Sequence, residues 1–160
     1  MNREKISNYQ KLCGEWAEKF LHMDKEELMK MAEDFYNGPA VLYPIPVENF
    51  SHCFDEIIKG NPMVRGLTIL HRGEILGYCQ LSFTYSSEAD GLVVLIEELY
   101  IKPAFQGKGV GKQVFDFIES EYGDKAKRYR LECEHENVNA MKLYTRLGYT
   151  ELGYVQMIKE

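Results

Sequence analysis

The spacing of hydrophobic residues changes along the chain, and each period predicts one type of element. Near the start, apolar residues recur every three to four positions, as in a helix with one buried stripe. This pattern predicts helices from Asp24 to about Tyr36 and from about Val47 to Lys59, with an apolar, proline-containing segment from Gly38 to Pro46 between them. The less regular sequence before them predicts a strand from Glu15 to His22, preceded by an N-terminal extension over residues 1–14.

From residue 64 onward, β-rich runs appear. Residues 64–71 and 74–85 form a predicted antiparallel pair, because Gly73 in the turn accepts the positive φ that hairpins need. Leu92 to Ile101 is almost continuously apolar, which is typical of a central strand covered on both faces. The sequence after Ile101 predicts a helix at about 112–122 and a strand at 128–134. A second helix at about 139–147 and a terminal strand pair through Ile158 follow. This order indicates an α/β or α+β fold, in one domain over residues 1–160.

Composition and charge argue against several kinds of partner for this chain. With 19 basic and 25 acidic residues, the net charge of −6 repels a nucleic-acid backbone and favours a small cationic molecule. The four cysteines and four histidines show no metal-ligand spacing, so no metal is expected. No apolar run approaches the roughly 20 residues that cross a membrane, and no export signal is recognisable, so we expect a cytoplasmic protein without a membrane partner.

A glycine-rich loop lies between the apolar strand and the next helix, with the sequence Pro103-Ala104-Phe105-Gln106-Gly107-Lys108-Gly109-Val110-Gly111-Lys112. Alternating glycines at a helix N-terminus expose backbone N–H groups, which favour an anion such as a pyrophosphate. An ordinary strand-to-helix turn is the alternative, although such a turn needs only about one glycine. A Walker loop is excluded because glutamines stand at positions 106 and 113, and the dinucleotide fingerprint finds Lys112 in place of its third glycine.

The loop resembles the acetyl-CoA motif of the GCN5-related N-acetyltransferases, the GNAT family, which reads Q/R-x-x-G-x-G/A and is matched by Gln106, Gly109 and Gly111. A second family pattern places a tyrosine five residues after an asparagine, followed by a glycine and an aromatic residue. Asn139, Tyr144 and Gly148-Tyr149 match it. The resemblance runs from about residue 15 to the C-terminus. It implies a mixed, mostly antiparallel sheet that is splayed between strands 4 and 5 and flanked by about four helices.

The resemblance also implies where acetyl-CoA, the co-substrate, is held. It is expected between the strand that ends at Ile101 and the strand that ends near Glu134, with the pantetheine arm paired to the backbone of Leu99 and Ile101. The residues expected to bind it are Leu99, Tyr100, Ile101, Gln106, Gly107, Lys108, Gly109, Val110, Gly111, Lys112, Asn139 and Arg146. Asn139 could equally be a helix N-cap, and Lys142 with Arg146 could equally form a solvated helix face.

Two adjacent carboxylates, Glu97 and Glu98, interrupt the apolar strand and are candidate catalytic residues. A buried unpaired carboxylate is costly, so at least one of them should meet water, a cation or a cleft. Neighbouring strand residues face opposite sides, so only one is expected to face a given site. One interpretation is a base that deprotonates an ammonium substrate. The other is that one carboxylate pairs with a Lys or Arg while its neighbour is solvated at a strand bulge.

Tyr144 is the third candidate catalytic residue. Its place in an apolar helix stripe is typical of a core tyrosine, but the resemblance implies that its phenol protonates the departing thiolate. Cys133, on a predicted strand, has no neighbour that would lower a thiol pKa, so we expect a buried apolar side chain and direct transfer in a ternary complex.

Taken with the resemblance, these residues indicate an N-acetyltransferase that acts on a primary amine. The sequence of residues 97–101 is similar to that of polyamine-acetylating members, which favours a small cationic amine. Phe35, Tyr36, Tyr43 and Phe50 are expected to line the acceptor pocket. A protein N-terminus or lysine is the alternative acceptor, and a non-catalytic acyl-CoA-binding regulatory module is the alternative of another class. A homodimer is compatible with the sequence.

Overall fold

The computed structural model describes residues 25–159, so the strand predicted from Glu15 to His22 and the extension over residues 1–14 lie outside the described residues. The helices are α1 (Lys25–Tyr36), α2 (Val47–Ile58), α3 (Val110–Tyr122) and α4 (Val138–Arg146). The strands are β1 (Val64–His71), β2 (Glu74–Ser86), β3 (Gly91–Ile101) and β4 (Ala126–Leu131). A short 3₁₀ turn, Pro103–Phe105, connects β3 to the loop before α3.

The four described strands form one mixed sheet in the order β1-β2-β3-β4. The first three strands are antiparallel to one another, and β4 is parallel to β3. Pairing of β3 with β4 stops at Ile96 and Leu131, whereas β3 continues to Ile101 with β2 as its partner. The sheet therefore forks between β3 and β4, as the family resemblance predicts.

Helices cover both faces of the sheet. On one face, α3 packs against the sheet because the apolar residues of α3 recur at helical spacing, as in Val114, Phe115, Ile118 and Tyr122. On the other face, α1 and α2 bury Leu28, Met31, Phe50 and Phe54 around Tyr78 of β2. The α/β class predicted from the order of elements is confirmed.

The prediction for the end of the chain is wrong in two respects. The strand predicted at 128–134 ends at Leu131, because β3 diverges there and leaves the next residues without a pairing partner. The terminal strand pair is not formed, since residues 150–159 make no strand pairing within the described chain. Alternating apolar residues fit a strand, but a strand also needs a hydrogen-bonded neighbour. Several large apolar side chains there are exposed, namely Leu152, Tyr154, Val155, Met157 and Ile158.

Among the described residues, no helix combines the length and the apolar character needed to cross a membrane.

Candidate active site

A β-bulge lies in β3 at the level of the fork. Gln80 of β2 pairs with Glu98, whereas the next residue, Leu81, pairs with Ile96, so Glu97 is the extra residue. The bulge resets the alternation of side chains. Glu98 therefore points to the face covered by α1 and α2, and Glu97 also binds Ser82 on that face. The two carboxylates therefore do not lie on opposite faces as simple alternation predicts, because alternation does not hold across a bulge.

Glu98 is buried, with 6% of its surface exposed. Tyr36 of α1 donates a hydrogen bond to Oε1, and Tyr78 of β2 donates one of 2.7 Å to Oε2. Its partners are therefore phenols and not the Lys or Arg that the sequence suggested. Burial raises the pKa of Glu98, although the two tyrosine hydrogen bonds oppose this shift. Burial, followed by the nearby Glu98 carboxylate, raises the pKa of both tyrosines, which keeps their hydroxyls protonated as donors.

Glu97, in contrast, is exposed to solvent. Its Oε1 atom accepts a hydrogen bond of 2.5 Å from Ser82 Oγ. Of the two adjacent carboxylates, Glu97 is thus the one that a solute can reach, whereas both oxygens of Glu98 are already engaged.

The backbone of the glycine-rich loop is open to an anion. Gln106 N donates to Pro103 O at 3.3 Å, and Gln113 N donates to Gly109 O at 3.2 Å. Between these two bonds, the N–H groups from Gly107 to Lys112 donate no hydrogen bond to any of residues 25–159. Gly109 is the N-cap of α3 and has a φ of 80°, a conformation that side chains with a Cβ rarely adopt. These consecutive donors at a helix N-terminus fit the diphosphate of acetyl-CoA.

Two contacts fix this loop against the end of β3. Gln106 Nε2 donates a hydrogen bond of 2.8 Å to Ile101 O. A Cβ at Gly111 would lie 3.2 Å from Leu143 Cδ2 and 3.6 Å from Ile101 Cδ1, so a larger residue there would require the Leu143 side chain to shift by a few tenths of an ångström. The glycine at position 111 therefore has a packing role, and the Gln106 side chain holds the loop.

The backbone of β3 beyond the fork has an open edge. Lys102 N donates to Leu76 O of β2 at 2.8 Å. By strand alternation, the backbone groups of Leu99 and Ile101 then point away from β2, toward the gap left by β4. Because Gln106 occupies the Ile101 carbonyl, the groups available there are those of Leu99 and the N–H of Ile101. This edge fits an extended amide-containing chain such as pantetheine.

Several predicted binding residues have other partners in the structure. The Tyr100 hydroxyl donates to Asp34 Oδ2 at 3.1 Å, so this side chain lies on the α1 face. Lys112 Nζ lies 2.7 Å from both oxygens of Asp116. Lys108 Nζ lies 5.5 Å from the centroid of the Phe105 ring.

The start of α4 corrects one further prediction. The N-cap is Asn137, whose Oδ1 accepts a hydrogen bond of 3.3 Å from Ala140 N. Asn139 is therefore inside the helix and not its cap, since the helix begins one residue earlier, at Val138. Lys142 and Arg146 are exposed and line a shallow cleft of about 460 Å³ along α4.

Tyr144 lies in a cleft of about 1100 Å³ that also contacts Cys133 and, from the segment between α1 and α2, Leu42. Its ring packs edge-on against Phe115 with 5.6 Å between the centroids. Burial raises the pKa of Tyr144 to about 12. Cys133 is half-buried and not on a strand, and burial raises the pKa of its thiol, so it remains a poor nucleophile.

Sequence reasoning missed Tyr78 and Ser82, which bind the two carboxylates. They precede these carboxylates by 20 and 15 residues, respectively, so no local motif connects them. The signal that could have found them is the register of β2 with β3. The bulge makes that register hard to derive from the sequence. No group of three or more His, Cys, Asp or Glu that could hold a metal occurs within residues 25–159.

Comparison with known proteins settles the family. The model of the acetyltransferase (GNAT) family matches residues 25–149, most of the chain. The chain belongs to the GNAT family. The GNAT chain is 33% identical over 85 residues to the uncharacterized N-acetyltransferase YhfO of Bacillus subtilis, covering 52% of the chain and 57% of YhfO. It is 32% identical over 79 residues to the thialysine N-epsilon-acetyltransferase of Bos taurus. This match covers 49% of the chain and 46% of the bovine protein.

The fold is also that of a solved structure. A possible acetyltransferase from Clostridium difficile 630 superposes with a TM-score of 0.69 at 16% identity, over 90% of this chain and 92% of that one. The chain spans about half the length of the curated relatives that it matches.

Proposed function

We propose that this protein is an N-acetyltransferase that transfers the acetyl group of acetyl-CoA to the primary amine of a small cationic molecule. The observation that carries the proposal is the row of unpaired amides from Gly107 to Lys112, next to the open edge of β3. An anion site beside an unpaired strand edge suits a ligand that has both a diphosphate and an extended amide chain.

This geometry supports the following assignment of residues to the co-substrate. The amides of 107–112 would hold the diphosphate, and the backbone of Leu99 and Ile101 would pair with the pantetheine amides. Lys142 and Arg146, both exposed on α4, would bind the 3′-phosphate of acetyl-CoA, which is separate from the diphosphate. When bound, acetyl-CoA supplies the thioester that an amine can attack.

Glu97 is the proposed base. An aliphatic ammonium has a pKa near 10 and is not nucleophilic until it loses a proton. Glu97 is exposed at the bulge, and Ser82 Oγ orients one of its oxygens. The carboxylate can therefore accept the proton directly or through one water molecule.

Tyr144 is the proposed hydrogen-bond donor to the leaving sulfur. Its pKa of about 12 keeps the hydroxyl protonated at neutral pH. A thiol has a pKa near 8.5, so this phenol is the weaker acid. We therefore assign Tyr144 the stabilisation of the developing negative charge by a hydrogen bond, with a full proton transfer not required.

The acceptor class rests on charge and on similarity. The net charge of −6 and the exposed carboxylate at the bulge favour a cation. The bovine relative is named for acetylating the ε-nitrogen of thialysine, a small amine. The segment 37–46 contributes exposed Leu42 to the lining of the cleft, which gives the acceptor site an apolar wall.

The test is a screen for acetyl-CoA consumption, with free thiol as the readout, across polyamines, amino acids, aminoglycosides and peptides. Turnover with one or more small cationic amines is the expected result. Turnover with peptides alone would show that the acceptor is a peptide amine and not a small cationic molecule. Tight acetyl-CoA binding in calorimetry without turnover on any amine would replace the enzyme by a regulatory acyl-CoA-binding module.

A further inference from the structure

Two alternate residues of β3 and Lys102, which directly follows β3, bind α1 by their side chains. Glu98 accepts a hydrogen bond from Tyr36, Tyr100 donates one of 3.1 Å to Asp34, and Lys102 forms an ion pair of 2.8 Å with Glu27. The three residues are spaced by two, so they lie on one face of the sheet, and their partners run backward along the helix. These contacts fix α1 along β3.

Tyr36 occupies a particular place in this series. It is the last residue of α1, and the segment 37–46, which joins α1 to α2, begins directly after it. Leu42 of this segment lines the cleft that contains Tyr144. The position of Tyr36 therefore determines where the segment begins relative to the sheet.

Glu98 is suited to hold Tyr36 and unsuited to contact a substrate. Each of its two oxygens accepts a phenol hydrogen bond, and 6% of its surface is exposed. A buried carboxylate of this kind strongly favours retaining its donors, because losing one leaves a buried acceptor unpaired. Glu97, one residue earlier, is the carboxylate that solvent reaches.

We propose that Glu98 is a positioning residue which, through Tyr36, holds the segment 37–46 as the acceptor-side wall of the active site. The catalytic meaning of this wall rests on the proposed function, but the contact itself does not. Loosening Tyr36 frees the segment, weakens the binding of the amine, and leaves the amide row of 107–112 unchanged.

The chain offers a matched control, because two phenols bind the same carboxylate. Tyr36→Phe removes the donor on α1, and Tyr78→Phe removes the donor on β2. Tyr78 is fully buried on β2, whereas Tyr36 directly precedes the segment. Both variants keep an aromatic ring in the cluster around Phe50, with which each ring makes an edge-on contact.

The first measurement is hydrogen exchange of the amides between Asn37 and Ile45 in the full chain. Tyr36→Phe should accelerate their exchange roughly two- to tenfold, the range expected for the loss of one hydrogen bond, and Tyr78→Phe should not. Equal exchange in the two variants, or no change in Tyr36→Phe, overturns the proposal. Thermal melts of both variants show that the comparison is made on folded protein.

The second measurement is steady-state kinetics with an amine found in the screen. Tyr36→Phe should raise the KM for the amine roughly two- to tenfold, with the KM for acetyl-CoA and kcat unchanged. Tyr78→Phe should leave the KM for the amine unchanged. A loss confined to kcat would contradict a positioning role and indicate that Tyr36 takes part in the chemistry. If the wild-type protein has no transferase activity, the proposed function fails, and hydrogen exchange still decides whether Glu98 holds the segment.

Discussion

Ser82 Oγ donates a hydrogen bond of 2.5 Å to Glu97 Oε1, and this contact keeps the bulged carboxylate on the face of the sheet that α1 and α2 cover. Glu98 lies on the same face but is enclosed by phenols. One bulge thus gives two neighbouring carboxylates different surroundings, because Glu97 is exposed to solvent and Glu98 is buried. The difference suits them for different tasks, because a bound amine can reach Glu97, whereas both oxygens of Glu98 already accept hydrogen bonds.

Replacing Glu97 by Gln should lower kcat/KM for the amine on the order of 100-fold at neutral pH, within the range for loss of a general base. Activity should recover as the pH approaches the amine pKa of about 10, because the free amine then no longer needs a base. Rates between neutral and alkaline pH measure this. Ser82→Ala is the control, since it keeps the carboxylate and should lower activity only a few-fold. Equal rates for wild type and Glu97→Gln at neutral pH would remove Glu97 from the mechanism.

Replacing Tyr144 by Phe should lower kcat by about 10- to 100-fold, as expected for the loss of one hydrogen bond to a charged group, about 1.5–3 kcal/mol. Acetyl-CoA affinity, measured by calorimetry, should change little. Tyr149→Phe is a matched control, because the Tyr149 ring packs against the same Phe115 with the same centroid distance of 5.6 Å. Its buried hydroxyl has no partner among the described residues, so its removal should leave kcat unchanged. An unaltered kcat in Tyr144→Phe would exclude its assigned role.

Replacing Gly109 by Val should weaken acetyl-CoA binding about tenfold or more, because each hydrogen bond to a charged group contributes about 1.5–3 kcal/mol and the strained loop would misalign its amides. The Gly109→Val protein should also be less stable, since a side chain at a φ of 80° is strained. Gly73→Val separates the two effects. Gly73 has a φ of 84° in the β1–β2 turn, so its replacement should lower the melting temperature without affecting binding. Undiminished binding by Gly109→Val in calorimetry would refute the diphosphate site.

Replacing Glu98 by Gln should change how stability depends on pH. Burial raises the pKa of Glu98 above its ordinary value of 4.5, so between 4.5 and the raised value the folded protein binds more protons than the unfolded chain. The contribution of Glu98 to the free energy of unfolding is therefore greatest below this window and falls as the pH rises through it. Relative to Glu98→Gln, the wild type should lose stability as the pH rises above 4.5 and through the raised pKa of Glu98. Urea melts of both proteins at these pH values measure the difference, and a constant difference would contradict the shift.

Local sequence patterns determined the elements that place the co-substrate site. Helical spacing predicted α1, α2, α3 and α4, and the apolar run from Leu92 predicted the central strand β3. The glycine pattern from Gln106 to Gly111 predicted an open amide row at a helix N-terminus. Such features depend on residues close together in the chain, because backbone conformation and helix ends respond to their nearest neighbours.

Only the tertiary structure decided how the two acids differ and where the chain pairs. Whether Glu97 or Glu98 is buried depends on a bulge in the register of β2 with β3, and their partners lie 15 to 62 residues away along the chain. The alternating pattern near Ile158 could not reveal that residues 150–159 lack a strand partner. Periodicity encodes which side of an element is apolar. Register and pairing are instead set by contacts between distant segments, which no local pattern records.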